Sequence, residues 1–165
     1  MPKRLLHLLL FLCLVTRGMA QEDTAYSPDT KMHSPFKALP ILRATAIGHK
    51  ESGTVDVAMV LANQSYKNAS LIFSINPSLS KASDDLDSLY SISQIRFGTY
   101  KKDSAMDMTV NLRPNEMLHC GLYINNVPLN AQYIRKLIIM TSLSLDNENV
   151  GQENILLQDI KISWR

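Results

Sequence analysis

Residues 54–76 read TVDVAMVLANQSYKNASLIFSIN, two apolar runs joined by the polar sequence NQSYKN. In the first run apolar residues occupy every second position, at Val55, Val57, Met59 and Leu61. A two-residue period is typical of a β-strand with one buried face, whereas a helix requires a repeat of about 3.6 residues. The stretch therefore predicts a β-hairpin whose polar tip is exposed.

Comparable apolar runs, separated by turn-forming residues, occupy most of the chain beyond residue 38. The strand candidates are residues 39–49, 54–63, 69–76, 88–98, 106–113, 117–125, 136–145 and 155–164. Many short strands with regularly spaced turns predict an all-β protein, and we expect an antiparallel β-sandwich of about seven to eight strands. A short helical turn is expected near 130–135, where Leu129, Tyr133 and Leu137 recur at i, i+4 and i+8.

The first twenty residues have the layout of a cleavable secretory signal. The positively charged start MPKR precedes the apolar run LLHLLLFLCLV, and the small residues Gly18 and Ala20 stand at the third and first positions before Gln21. This run is shorter than the roughly 20 apolar residues that cross a bilayer, although a retained anchor is the alternative. No later apolar stretch is long enough to span. We therefore expect an extracytoplasmic protein, periplasmic or secreted, with no membrane span after signal removal.

The chain divides into three parts on this interpretation. Residues 1–20 are the signal. Residues 21–37, which are polar with two prolines, form a flexible N-terminal segment that docks at most loosely. Residues 38–165 form the β-sandwich domain, which is long enough to bury a single core.

The charge balance argues against nucleic acid as a partner. The chain has 17 Lys and Arg against 15 Asp and Glu, a net charge of +2. Lys3, Arg4 and Arg17 leave with the signal, so the mature chain has 14 basic and 15 acidic residues and a net charge of −1. A nucleic-acid interface requires a stripe of basic residues, and none is visible.

Cys120 is the one cysteine that remains after the signal, because Cys13 lies within it. An unpaired cysteine in a secreted protein indicates either an intermolecular disulfide or a buried thiol. Cys120 alternates with Leu118 and Leu122, so the pattern favours burial.

A soft-metal site would require methionine, histidine and cysteine side chains that converge, as Cu(I) prefers. The candidates are Met106, Met108, Met117, His119 and Cys120. Strand parity places Met117 and His119 on the face opposite Cys120, and the other two methionines on the core face of their own strand. Methionines also fill gaps in ordinary cores. We expect no metal site and no cofactor.

Catalytic motifs are absent from the sequence, and we expect no catalytic residues. There is no G-x-S-x-G, P-loop, H-E-x-x-H or C-x-x-C pattern. Asp84, Asp85 and Asp87 lack the alternating spacing, the central glycine and the final glutamate of a calcium loop, so a solvated turn is the simpler interpretation. A dispersed Ser-His-Asp triad stays open, because its members need not be close in sequence.

Two Asn-x-Ser sequons flank the polar tip, at Asn63 and Asn68. They are glycosylation candidates if the source is eukaryotic and turn residues if it is bacterial. The sequence alone leaves both possibilities open.

The order of strands and turns over residues 38–165 resembles secreted bacterial immunoglobulin-like domains of uncharacterised families. The residues that carry the resemblance are Asn63, Ser65 and Lys67 at the tip, Asp85 and Tyr90 at an acidic turn, and Leu112, Arg113 and Pro114 at a later turn. The resemblance implies an immunoglobulin-like sandwich, an extracytoplasmic location and no particular activity.

The expected function is therefore that of a non-catalytic binding or structural module whose partner is another extracytoplasmic protein. The alternative is a small periplasmic inhibitor or immunity-type protein that blocks an enzyme. An enzyme is the third possibility, with Cys120 as its candidate nucleophile.

Overall fold

The computed structural model describes residues 29–98, 100–103 and 107–165, with the backbone alone for residues 100–103. The predicted signal, the first part of the predicted flexible segment and Met106 lie outside these residues. Within the described part of the chain, no helix is long and apolar enough to cross a membrane.

All regular secondary structure in the described residues is β-strand, so the all-β prediction is confirmed. The eleven strands are β1 (Lys31–His33), β2 (Ile41–His49), β3 (Thr54–Ala62), β4 (Ala69–Ser74), β5 (Lys81–Asp84), β6 (Leu89–Phe97), β7 (Tyr100–Asp103), β8 (Met108–Leu112), β9 (Met117–Ile124), β10 (Tyr133–Leu145) and β11 (Glu148–Trp164).

The strands form two sheets that share two strands. In the first sheet β10 pairs with β11 on one side and with β5 and β4 on the other, while β1 extends it beyond β11 and β8 extends it beyond β4. In the second sheet the order is β2, β3, β9, β6 and β7. The start of β6 pairs with β5 and the end of β11 pairs with β2, so seven strands close into a ring.

One pairing departs from the predicted antiparallel arrangement. Residues Ile162 to Trp164 of β11 run parallel to β2, whereas the other pairings between described strands are antiparallel. The approach is very close, because a Cβ on Gly48 would lie 2.6 and 2.7 Å from Cδ2 and Cζ3 of the Trp164 ring. The indole is held there by its Nε1, which donates a hydrogen bond of 2.7 Å to the carbonyl of Ala131.

The core lies between the two sheets. On β3 the side chains of Val55, Val57, Met59 and Leu61 are all buried, which confirms the inward face expected from their spacing. Alternate residues of β4, β10 and β11 meet them from the first sheet. Phe73 and Phe97, from opposite sheets, pack with their ring centroids 5.1 Å apart.

The predicted hairpin of β3 and β4 is wrong. β3 pairs with β2 and β9, whereas β4 pairs with β10 and β8, so residues 63–68 arch from one sheet to the other. Asn63 anchors this arch: its side chain is fully buried, and its Nδ2 donates to the carbonyls of Lys67, Leu112 and Arg113 at 2.9, 3.3 and 3.0 Å. A two-residue period identifies a strand, but it does not specify which strand lies beside it.

The short helical turn expected near 130–135 is replaced by a turn and a strand. The amide of Ala131 donates to the carbonyl of Pro128 at 3.0 Å, and β10 begins at Tyr133. Ile134 and Leu137 both face the core because the pairing with β5 shifts by one residue between positions 134 and 136. The residues that suggested a helical period do not share a buried face, because Leu129 is exposed whereas Leu137 is fully buried.

Three strands, β1, β5 and β7, lie in segments that we expected to be loops or flexible. Part of the predicted flexible segment pairs with β11, at Lys31–His33, and Phe36 is buried in the core. β11 also begins earlier than expected, after a two-residue turn at Asp146 and Asn147 with φ values of 45° and 69°. Asp and Asn tolerate these left-handed values, which favour tight hairpins.

Candidate functional site: a basic depression on the second sheet

The outer face of the second sheet is formed by the residues that alternate with the core positions. On β9 this places His119, Gly121 and Tyr123 outside, whereas Leu118, Cys120 and Leu122 are buried. The predicted burial of Cys120 and the predicted outward orientation of His119 are thereby confirmed. On β3 the outward residues are Asp56, Ala58 and Val60.

The middle of this face has almost no side chains. Ala58 and Gly121 stand directly opposite each other on the central strands, and Thr45 lies beyond Ala58 on β2. These residues form a row across the strands, and the rows on either side of it carry larger side chains. The surface therefore forms a shallow depression of about 170 Å³.

Three basic side chains border the depression: Arg43, Arg96 and His119. We call these three residues, together with Ala58 and Gly121, the basic depression. Arg43 and His119 lie on either side of Val60 in the same row, two strands apart, which corresponds to about 10 Å between their backbones. Both are exposed. Among the described residues, none of the three has an acidic group within 4.0 Å.

Arg96 is held in place by an aromatic ring. Its guanidinium carbon lies 5.4 Å from the ring centroid of Tyr123, a cation–π contact. Arg96 also stands opposite Gly121, and its Nε and Nη2 lie 3.8 Å from the point that a Cβ on Gly121 would occupy. The guanidinium therefore lies over the floor of the depression, where a planar anion can approach it.

An acidic residue lies in the next row of the same face. Asp56 stands opposite Tyr123, and its Oδ2 is 3.3 Å from Nε2 of His49. Its other oxygen, Oδ1, is buried and has no hydrogen-bond partner among the described residues. Burial of the phenol, reinforced by the Asp56 carboxylate and opposed by Arg96, raises the pKa of Tyr123.

The chemistry of this face favours binding over catalysis. Cys120, the one thiol beneath the depression, is 4% exposed, and burial raises its pKa to about 12, so it stays protonated and unreactive at neutral pH. The hydroxyl of Ser93 is engaged within the fold, because it donates to the carbonyl of Tyr123 at 2.9 Å. Guanidinium and imidazole groups around a shallow floor are suited to carboxylate or phosphate ligands.

Of the five metal-ligating candidates, the four that the structure describes do not converge. Met117 and His119 point outward from β9, Cys120 points inward, and Met108 packs against the core from β8 on the other sheet. Within the described part of the chain, no three His, Cys, Asp or Glu side chains are grouped as metal ligands.

The acidic turn at 84–87 is stabilised by donors from the protein itself. Asp84 is fully buried; its Oδ1 accepts from the amides of Leu86 and Ser88 at 3.0 and 2.9 Å, and its Oδ2 accepts from the Tyr90 hydroxyl at 2.6 Å. Asp85 accepts a bond of 3.0 Å from the amide of Gln132. These contacts give the turn a structural role.

The two sequons differ in their surroundings. Asn63 is fully buried with its amide engaged, and its Oδ1 accepts from the Ser65 hydroxyl at 2.7 Å. Asn68 is exposed, and its Nδ2 lies 3.3 Å from Oδ1 of Asp146. A glycan on Asn63 is incompatible with this fold, whereas Asn68 has room for one.

Sequence reasoning missed the basic depression as a unit. The parity of β9 identified His119 as an outward residue, but Arg43 and Arg96 come from β2 and β6, which the sequence does not place beside it. The small pair Ala58 and Gly121, on outward positions of two predicted strands, was the available signal.

Comparison with known proteins gives only distant similarities. No family model matches the chain, and no curated protein matches it significantly. The structure is similar to the ASH / PapD-like domain of human CEP192 (PapD-like domain 7), with a TM-score of 0.44 and 10% identity, covering 86% of this chain and 92% of that chain. It is also similar to the CooA pilin subunit from enterotoxigenic Escherichia coli, with a TM-score of 0.41 and 9% identity, covering 73% and 86% of the two chains.

Proposed function

We propose that this protein is a non-catalytic binding module that acts outside the cytoplasm and holds an acidic segment of a partner protein on its second sheet. The domain, residues 38–165, is an immunoglobulin-like sandwich in this proposal. The extracytoplasmic location rests on the signal-like composition of residues 1–20.

The observation that carries the proposal is the set of basic groups that, among the described residues, have no acidic group within 4.0 Å and that surround a floor of small residues. Arg96 is the central group, because the Tyr123 ring fixes its guanidinium and so lowers the entropy lost on binding. A carboxylate can accept two parallel hydrogen bonds from such a guanidinium. Arg43 and His119 then contact neighbouring acidic groups of the same segment.

The test is affinity capture from the extracytoplasmic fraction of the native source with three matched baits. The first bait is the wild type, and the second carries Arg43→Gln and Arg96→Gln, which keep both side chains polar but remove the charges. A Lys136→Gln bait is the control, since Lys136 is an exposed cation on the first sheet. The proposal predicts a protein retained by the wild type and the control but lost from the double variant.

A partner retained equally by all three baits would contradict the proposed site. The same experiment separates the alternative function, since an inhibitor of an enzyme recovers one tightly bound enzyme whose activity falls on addition of this protein. A structural module recovers a partner without such an effect.

A further inference from the structure

Strand β8 is an edge of the first sheet. Met108–Leu112 pair with β4, and no other described strand pairs with β8. One row of its backbone amides and carbonyls therefore faces outward at the edge. Such an edge is a template for a further strand unless the sequence protects it.

The other two edges of the described sheets have protection that β8 lacks. β1 is three residues long, and β7 carries Lys101 and Lys102 in its sequence. Short edge strands and lysines both discourage pairing with another chain. β8 is MTVNL, five residues without a charge or a proline, and its outward residues Thr109 and Asn111 are neutral.

The residues that flank β8 make it complementary to itself. Asp107 precedes the strand and Arg113 follows it, and both are exposed. If two copies of β8 pair antiparallel about Val110, Asp107 of each copy stands opposite Arg113 of the other. We propose that β8 pairs in this register with β8 of a second copy of this chain, forming a two-fold symmetric dimer in which the first sheets are continuous.

The inward-facing residues of β8 support the same register. Met108 and Val110 are only partly buried although they pack against the core. In the dimer Val110 lies opposite Val110 of the second copy, and Met108 lies opposite Leu112, so apolar side chains meet apolar side chains. Thr109 and Asn111 are then opposite each other on the outer face, without a clash of like charges.

A contact of five residues a side is small, so the dimer is expected to be weak and dependent on concentration. Sedimentation velocity over a range from roughly micromolar to millimolar protein should show reversible dimerisation.

Asp107→Arg and Arg113→Asp each place like charges opposite each other twice in the dimer, and each should weaken association by about tenfold or more. The double variant restores both pairs and should restore association.

A cysteine pair tests the register directly. Thr109→Cys and Asn111→Cys proteins, mixed under mild oxidation, should form a mixed disulfide dimer, because these positions are directly opposite. Each variant alone should cross-link much less, since identical positions lie on the diagonal. Wild type is the control, because its Cys120 is buried.

Either of two results would overturn the proposal. One is a protein that stays monomeric over the whole concentration range. The other is equal cross-linking by Thr109→Cys alone and by the mixture, which indicates random collision or another register. A circular dichroism spectrum and melting temperature equal to those of the wild type show that each variant is folded. The basic depression lies on the other sheet, so loss of the dimer leaves the proposed ligand binding unchanged.

Discussion

Cys120 illustrates how a strand position determines chemical reactivity. Its thiol is 4% exposed between the two sheets, and burial raises its pKa to about 12. Because the thiolate is the reactive form and reagents cannot reach the sulfur, we expect a maleimide to label the native protein slowly and the denatured protein completely. Labelling followed by mass spectrometry measures both rates, with Thr109→Cys as an exposed control.

Removal of the same thiol should affect stability and not binding. Cys120→Ala leaves a small cavity, and we expect it to lower the free energy of unfolding by about 1 kcal/mol in a urea titration. Rapid labelling of native wild-type protein would show instead that β9 is turned over and that the inward and outward assignments are reversed.

The Tyr90–Asp84 hydrogen bond gives a prediction on pH. The Tyr90 hydroxyl donates to the fully buried Asp84 carboxylate at 2.6 Å. Burial of the phenol, together with this bond, raises the pKa of Tyr90 above its ordinary value of 10.0. A raised pKa in the folded state means that the stabilisation is complete below pH 10 and is lost as the pH rises through the folded pKa.

We therefore expect Tyr90→Phe to lower the free energy of unfolding by about 1–2 kcal/mol at neutral pH, since it removes one donor to a buried carboxylate. The difference from wild type should stay constant up to about pH 9 and shrink above about pH 10. Tyr66→Phe is the control, because Tyr66 is 89% exposed. A difference that grows with pH would contradict the assigned role.

At the scale of the elements, the contact between β2 and β11 depends on one glycine. A side chain at position 48 cannot coexist with the Trp164 ring in its present place. We expect Gly48→Ala to lower the free energy of unfolding by about 1–3 kcal/mol through overpacking. In a Trp164→Ala background the same substitution should cost much less, which a double-mutant cycle measures.

Gly121→Ala is the matched control for this prediction. It is also a strand glycine, but the nearest atoms to its added Cβ lie at 3.8 Å, an ordinary contact distance. Its effect on stability should be within about 0.5 kcal/mol. Equal costs for the two substitutions would mean that loss of a glycine, and not the contact with Trp164, determines the result.

The elements also show how far sequence reasoning reaches. Alternation along residues 54–62 correctly identified the strand β3 and its buried side, because the two-residue period is a local property. The alternation gave β3 the wrong neighbour, because the chain after β3 crosses to the other sheet. Asn63 anchors that crossing through the carbonyls of Leu112 and Arg113, which lie far along the chain. β5 and β7 were missed because their polar sequences become strands only by pairing with β10 and β6.

At the scale of the whole molecule, the closed ring determines which side chains lie next to each other on the outer face of the second sheet. The ring brings β2 and β6 to either side of β3 and β9, and so Arg43 and Arg96 both border the floor formed by Ala58 and Gly121. The sequence predicted the outward orientation of His119 on its own strand. It did not predict the grouping of His119 with Arg43 and Arg96, because strand order is set by contacts between distant segments.

The proposed location gives a prediction on the intact protein. If residues 1–20 are a cleaved signal, the mature protein starts at Gln21, which cyclises readily. Intact mass and N-terminal sequencing of protein recovered from the native source measure this. A mature chain that retains Met1 to Ala20 would contradict the prediction and favour the retained anchor.

The most direct test of the central claim is an NMR titration of uniformly ¹⁵N-labelled protein with a hexaglutamate peptide blocked at both ends. We predict that the largest shifts occur at the amides of Ala58 and Gly121 and at Nε–H of Arg96. They should disappear in the Arg43→Gln, Arg96→Gln double variant and persist in Lys136→Gln. Shifts centred on the first sheet, or shifts that survive in the double variant, would contradict the claim that the basic depression binds acidic segments.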